Sequence, residues 1–137
     1  MTNTRPLGLT FLMILFAIGT LASLIAVITL VFPGSFLDVA WRVNPHAHEG
    51  FSRLGGWSVV LMSAVFIACL LTAFGLWRRL EWGYWLAMAM LIANLVGDTI
   101  NVIAGKDRRA IAGIPIVFLL LLYLMRRNTR EYFRETN

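Results

Sequence analysis

Residues 7–32 contain no charged side chain, and no other feature constrains the fold of this chain so strongly. Crossing the hydrocarbon core of a bilayer takes about 20 consecutive apolar residues in a helix, so this segment is long enough to span a membrane. Further apolar segments follow at 56–77, 82–104 and 110–125. None of them alternates between polar and apolar residues as a transmembrane β-strand does. The sequence therefore predicts an all-α integral membrane protein, a four-helix bundle.

The composition is that of a membrane protein rather than a soluble one. Hydrophobic residues make up 59% of the chain and charged residues 14%, and the mean hydropathy is +0.76. Soluble domains average about 45–50% apolar and about 25% charged residues. A length of 137 residues leaves room for a single transmembrane domain over 1–137. The one cysteine, Cys69, excludes an intramolecular disulfide and a thiolate zinc site.

The basic residues flank the apolar segments, so the net charge of +5 indicates a partner in the lipid bilayer and not a nucleic acid. The first segment exceeds the roughly 7–15 residues of a signal-peptide core, and we expect the mature protein to retain it. Of the 12 Lys and Arg residues, seven fall on the side of the two termini: Arg5, Arg78, Arg79, Arg126, Arg127, Arg130 and Arg134. This small excess predicts that both termini are cytoplasmic, and it leaves a dual topology or an outward-facing basic patch open.

The loop between the first two apolar segments is expected to contain helix of its own. Ser35 and Asp38 have the spacing of a capping box, which predicts a short interfacial helix over 36–43. Asn44 followed by Pro45 is typical of an N-cap and a first helical position. The second helix is therefore expected to start either at 56 or near 45, with a bend at the Gly55-Gly56 pair.

The C-terminal segment, 126–137, mixes arginine and glutamate with aromatic residues. This pattern predicts a basic cytoplasmic tail that continues as a helix along the membrane surface. Anionic lipid headgroups attract such a tail by about 1 kcal/mol for each basic residue near the surface.

Three polar residues interrupt the third apolar segment on one face of its helix: Asn94, Asp98 and Asn101. Polar groups in hydrocarbon face the interior of a bundle or a water-filled cavity, because lipid offers them no hydrogen-bond partner. One interpretation is a small outward-facing site for a ligand or an ion, with Asp98 as its charge. The other is a structural ion pair between Asp98 and one of three arginines, Arg53, Arg108 or Arg109.

His46, His48 and Glu49 are ligand types for zinc or iron, yet their spacing does not favour a metal site. Residues two apart diverge by about 200° on a helix, so only His46 and Glu49 share a face. No histidine lies inside an apolar segment, as a bis-histidine haem would require, and no cofactor is predicted. No nucleophile is placed beside a base, so the sequence predicts a protein without enzymatic activity.

Small residues on the first helix predict close packing between helices. Gly19 with Ser23, and Ala22 with Ala26, form pairs four residues apart, a spacing that lets two helices approach closely. These faces serve either the internal bundle or an interface with other membrane helices, including those of a second copy of the chain.

Short motifs distributed over most of the chain resemble those of a group of bacterial membrane proteins. They are Trp41-Arg42-Val43-Asn44-Pro45-His46-Ala47, Gly75-Leu76-Trp77-Arg78-Arg79, Trp82-Gly83, Asn94-Leu95-Val96-Gly97-Asp98, Gly113-Ile114-Pro115-Ile116 and Tyr123-Leu124. In these motifs the chain resembles a group of small four-helix bacterial inner-membrane proteins to which no activity is assigned. The resemblance implies an integral membrane fold and a bacterial origin.

Two functions follow from these patterns. A non-enzymatic accessory or structural subunit of a membrane complex is favoured, because the sequence contains no catalytic constellation and its small residues indicate helix packing. The alternative is a small transporter, channel or solute-binding protein. That alternative uses the polar residues around Asp98, in the outer half of the bundle.

Overall fold

A computed structural model describes residues 5–105 and 110–134. Among these residues the regular secondary structure is helical throughout, which confirms the all-α prediction. The helices in chain order are α1 (Leu7–Val31), a 3-10 helix (Phe36–Arg42), α2 (Pro45–Leu54), α3 (Gly56–Trp77), α4 (Glu81–Ile103), α5 (Ala110–Met125) and α6 (Arg127–Arg134).

Three of these helices, α1, α3 and α4, are long and apolar enough to cross a membrane. Helix α5 has 16 residues and meets the same test only together with α6, from which a bend of 56° separates it. The described part of the chain thus contains three candidate spans, or four if α5 and α6 form one.

The long helices pack as antiparallel neighbours, α1 along α3, α3 against α4, and α4 along α5. Arg5, just before α1, donates to the Trp77 carbonyl at the end of α3 over 3.2 Å. Tyr84, near the start of α4, donates to the Leu124 carbonyl near the end of α5 over 3.1 Å. One end of the molecule, here called the basic end, therefore holds Arg5, Arg78, Arg79, Arg126, Arg127, Arg130 and Arg134. The opposite end holds α2 and is called the α2 end.

The apolar core lies toward the basic end. Most of its buried side chains come from the first turns of α1, the last turns of α3 and α5, and the first half of α4: Leu9, Leu12, Phe16, Leu76, Tyr84, Ala87, Leu91, Leu121 and Leu124. Cys69 of α3 and Phe133 of α6 complete the cluster. Toward the α2 end the buried residues include Ser23, Thr29 and Ser58. Each of these hydroxyls donates to a carbonyl three or four residues earlier. These hydroxyl groups donate to the backbone of their own segment and not to a neighbouring helix. Apolar side-chain packing between helices is therefore concentrated at the basic end.

Backbone contact joins α3 to α4 at two glycines. A Cβ atom added at Gly83 would lie 2.5 Å from the carbonyl carbon of Gly75, a separation at which no side chain fits. Between the two helices, Leu80 N–H donates to the Gly75 carbonyl over 2.9 Å, and Arg79 has a φ of 58°. This left-handed residue and its flanking bonds form a Schellman turn, which reverses the chain within three residues.

The C-terminal helix α6 folds back against the basic end. Phe133 is 1% exposed, and its ring centroid lies 5.5 Å from that of Tyr84. The Arg79 guanidinium lies 4.7 Å from the centroid of the Tyr132 ring, and Thr129 donates to the Tyr123 carbonyl over 3.1 Å. The predicted helical extension is present over 127–134, and one of its faces is covered by the protein itself.

The first loop forms two helices, with one correction to the predicted capping. The Asn44 side chain caps α2 by accepting from Ala47 N–H over 3.1 Å, and Pro45 is the first residue of that helix. Ser35 makes no capping bond to the 3-10 helix. Asp38 instead accepts from Gly34 N–H over 2.6 Å, so the predicted capping box is wrong. Gly55, at a φ of 57°, separates α2 from α3.

The small residues of α1 divide between two surroundings. A Cβ atom added at Gly19 would lie 3.3 Å from the sulfur of Cys69, so Gly19 allows α1 to approach α3 closely. Ser23 is also buried within the chain. Ala22 is exposed and Ala26 is half-buried. Of the predicted partner surface, Gly19 and Ser23 are already occupied by internal packing, and Ala22 remains on the outside.

Candidate functional site

Along one side of α4 the residues are buried near the basic end and exposed near the α2 end. Asn94 and Asn101 follow Gly83 after roughly three and five helical turns, so all three residues face the same side of the helix. Gly83 is buried against α3, Met90 is half-buried, and both asparagines are exposed. Helix α4 therefore contacts α3 at the basic end and separates from it toward the α2 end.

The same change occurs along one side of α3. Ala64 and Trp57 precede Gly75 by roughly three and five turns and share its side of the helix. Gly75 is buried, Ala64 is exposed, and Trp57 is 76% exposed. The two helices thus border an open space, here called the α3–α4 cleft, which closes at the two glycines and is bordered by Trp57, Ala64, Asn94 and Asn101.

Asp98 lies on the same side of α4 as the asparagines but contacts a different helix. A Cβ atom added at Gly113 would lie 2.7 Å from Asp98 Oδ2, so the carboxylate packs directly over the Cα atom of that glycine. Gly113 is the fourth described residue of α5. Asp98 therefore contacts α5 across the interface between the two helices, and the ion pair with an arginine stays a prediction.

Asn101 lines a cavity beside α2 that combines polar and apolar residues. The cavity has a volume of about 500 Å³ and is lined by Asn44, His46, Ala47, Gly50, Phe51, Arg53, Leu54 and Asn101. A second cavity of about 290 Å³ adjoins it and is lined by His46, Glu49, Gly50 and Arg53. The guanidinium of Arg53 pairs with the Glu49 carboxylate over 2.9 Å, and both side chains are largely exposed. These groups can bind a small polar or anionic molecule, because they present an imidazole, a guanidinium and amides to one space.

The two histidines of α2 have different surroundings. His48 stacks on Trp41 with ring centroids 4.9 Å apart, and Trp41 in turn donates to Thr29 over 2.9 Å. His46 lines the cavities on the other side of α2, together with Glu49 in the smaller one. In residues 5–105 and 110–134 no group of three His, Cys, Asp or Glu side chains is arranged to hold a metal ion.

The structure therefore brings together only part of the predicted site. Arg53 and Asn101 line one cavity, whereas Asp98 lies between α4 and α5 and Asn94 borders the cleft. Arg108 and Arg109, the other predicted partners of Asp98, lie outside the described residues. Asn44 lines the cavity as well as capping α2, a second role that its sequence signal as an N-cap did not reveal.

No protein-family model, curated protein or solved structure matches the chain. Any functional assignment therefore depends on the geometry of its own residues.

Replacing Asp98 by asparagine is expected to lower the free energy of unfolding by about 1 kcal/mol, because a neutral amide makes weaker polar contacts than a carboxylate at the interface between α4 and α5. Thermal unfolding of the purified protein in detergent measures this loss. Thr99→Ala is the matched control, since Thr99 is exposed and its hydroxyl donates only to the Leu95 carbonyl of its own helix. Equal stability of D98N and the wild type would show that the Asp98 charge has no structural role.

Proposed function

We propose that this chain is a non-enzymatic integral membrane protein that packs against other membrane helices as an accessory or structural subunit. Helices α1, α3, α4 and the α5–α6 pair would form its four-helix bundle. The observation that carries the proposal is the exposure of Asn94 in the α3–α4 cleft, in the middle of a helix that is apolar enough to cross a membrane.

Exposed aromatic residues at both ends support membrane insertion. Trp57 lies near the α2 end, and Trp77, Trp82 and Trp85 lie near the basic end, each of them at least 45% exposed. Tryptophan is enriched at both membrane–water interfaces, where its ring sits at the level of the headgroups. Between these levels the outward-facing residues of α1 and α3 are large and apolar, such as Ile18 and Ile67.

The distribution of arginine supports a cytoplasmic location of both termini. The seven arginines counted on the side of the termini lie together at the basic end, next to the first residues of α1 and the last described residues of α6. Positive residues concentrate on the cytoplasmic side of membrane proteins. Together with the resemblance to small bacterial inner-membrane proteins, this favours the inner membrane of a bacterium.

The polar border of the cleft favours a helix as the partner. An exposed amide in hydrocarbon gains a hydrogen bond when a neighbouring helix offers a polar side chain, and such bonds contribute about 1 kcal/mol. Ala64, on the opposite side of the cleft, is small and leaves room for close approach. A partner helix with a polar residue at the depth of Asn94 satisfies both conditions.

Asn94→Leu is expected to weaken the complex roughly fivefold, because the amide is lost while the helix remains apolar. The test is gentle extraction from the native membrane followed by native mass spectrometry of every species that contains the chain. Ala89→Leu is the control, since Ala89 is exposed on the side of α4 that faces away from the cleft. Fixed stoichiometry with an unrelated subunit, reduced by N94L and not by A89L, is the expected result. A lone monomer or a small homo-oligomer in the wild type would contradict the proposal.

The cavity beside α2 favours a second candidate, a small transporter, channel or solute-binding protein. Its volume of about 500 Å³ falls within the range of about 300–1,000 Å³ for small-molecule sites, and His46, Arg53 and Asn101 supply its polar groups. This candidate gains support if the protein purifies alone and Asn101→Leu abolishes solute binding without changing its stability.

A further inference from the structure

The arginines of the basic end differ in what they contact. Arg5 donates to the Trp77 carbonyl, the Arg79 guanidinium covers the Tyr132 ring, and Arg127 pairs with Glu131 over 2.7 Å. Arg78 lies 5.9 Å from the centroid of the Phe74 ring. Each of these guanidinium groups has a protein contact that holds it in place.

Three arginines follow a different pattern: Arg126, Arg130 and Arg134. Arg126 lies at the bend before α6, Arg130 and Arg134 lie four residues apart within the helix, and the three are here called the arginine stripe. All three are exposed, and no acidic residue within 5–105 or 110–134 forms an ion pair with them. The stripe therefore presents several positive charges that the described part of the protein does not neutralise.

Packing holds this stripe in one orientation. Phe133 and Thr129 are buried on the adjoining face of α6, against α4 and the end of α5. The helix therefore cannot rotate without exposing a fully buried aromatic ring. The arginine side chains are flexible, but their Cα atoms keep a fixed spacing, which reduces the entropy lost when several of them bind one surface.

The level of the stripe is that of the lipid headgroups, if the membrane insertion proposed above holds. Trp77 and Trp82 are exposed beside the α3–α4 turn, where they mark the interface, and α6 packs against the first turns of α4 just beyond it. The surface potential of a leaflet rich in anionic lipid attracts basic groups at this position.

We propose that Arg126, Arg130 and Arg134 form a binding site for the phosphate groups of anionic phospholipids in the surrounding leaflet. Guanidinium groups suit this ligand because they donate two parallel hydrogen bonds to a phosphate. Bound lipid holds α6 against the basic end in addition to the contact made by Phe133.

The test uses the full chain in nanodiscs of phosphatidylcholine alone or of phosphatidylcholine mixed with phosphatidylglycerol. Native mass spectrometry after release from the discs counts the retained lipids of each kind. The wild type is expected to retain phosphatidylglycerol preferentially, and R126Q/R130Q is expected to reduce that preference roughly tenfold. R42Q is the control for the single variant R130Q, since each removes one exposed positive charge and the two lie at opposite ends of the molecule.

Two further measurements make the result decisive. R126K/R130K keeps the charge without the paired hydrogen bonds, and is expected to retain more of the preference than R126Q/R130Q and less than the wild type, which a purely structural role of these side chains would not predict. Added salt is expected to weaken retention by the wild type, because it screens exposed charges. Equal retention of both lipids by the wild type, or equal loss of the preference in R42Q and R130Q, would overturn the proposal. Failure of the wild type to enter nanodiscs at all would instead contradict the membrane insertion on which it rests.

Discussion

Gly83→Ala is expected to lower the free energy of unfolding by about 3 kcal/mol, because the added methyl group meets the backbone of the neighbouring helix. The added Cβ would lie 2.5 Å from the carbonyl carbon and 2.6 Å from the Cα atom of Gly75, and backbone atoms cannot move aside as a side chain does. The helices must separate at the point where the cleft closes. Thermal unfolding in detergent, with the fraction of monodisperse protein measured by size exclusion, detects the loss.

Gly97→Ala provides the control on the same helix. A Cβ atom at Gly97 would meet nothing within 4 Å, and alanine favours a helix over glycine by about 0.5–1 kcal/mol. This variant is therefore expected to be as stable as the wild type or slightly more stable. If G83A unfolds at the same temperature as G97A, the two glycines are not in backbone contact and the cleft does not close there.

Phe133→Ala is expected to destabilise the docking of α6 by about 3 kcal/mol, because it removes a ring that is 1% exposed and leaves a cavity beside Tyr84. The effect is expected to be greatest at α6, where Phe133 joins the helix to the buried cluster that contains Tyr84. Limited digestion with trypsin is the measurement, because the arginines of α6 become cleavable when the helix undocks.

Met125→Ala is the control for this second variant. Met125 is 65% exposed at the end of α5, so loss of its side chain removes few contacts. The M125A variant is therefore expected to be digested at the same rate as the wild type. Faster cleavage in F133A alone supports a docked α6. Equal cleavage rates in F133A and the wild type would show that α6 is already free, and the fixed arginine stripe would be lost with it.

Helix type and position follow largely from the hydropathy of the sequence, because an uncharged apolar run in contact with lipid must satisfy its own backbone hydrogen bonds. The start of α2 was predictable as well, since Asn44 caps the helix through a local bond and Pro45 fits its first turn. The capping box failed because Asp38 can also accept from Gly34, a nearby backbone group of comparable reach. The spacing of Ser35 and Asp38 alone does not determine which backbone N–H group, that of Ser35 or that of Gly34, donates to the Asp38 carboxylate.

The polar stripe shows what sequence spacing leaves undetermined. Asn94, Asp98 and Asn101 share a face of α4 as predicted, yet they divide among a cleft, a contact with α5 and a cavity beside α2. Helical periodicity specifies the direction of a side chain and does not specify which neighbour lies there. The neighbour of each side chain depends on where α3 and α4 diverge. The two helices are in contact at Gly75 and Gly83 and diverge beyond them. In the sequence, two glycines indicate a helix contact far less clearly than a charged residue indicates a polar site.

The burial of the single cysteine makes this protein unusually convenient for labelling. Cys69 is 6% exposed and is covered by α1 at Gly19, so thiol reagents have little access to it in the folded chain. A cysteine introduced at Ala64 or Asn94 would be the one reactive thiol, without prior removal of a native residue. A pair of spin labels at these two positions would then report the width of the cleft directly, with and without a partner helix in place.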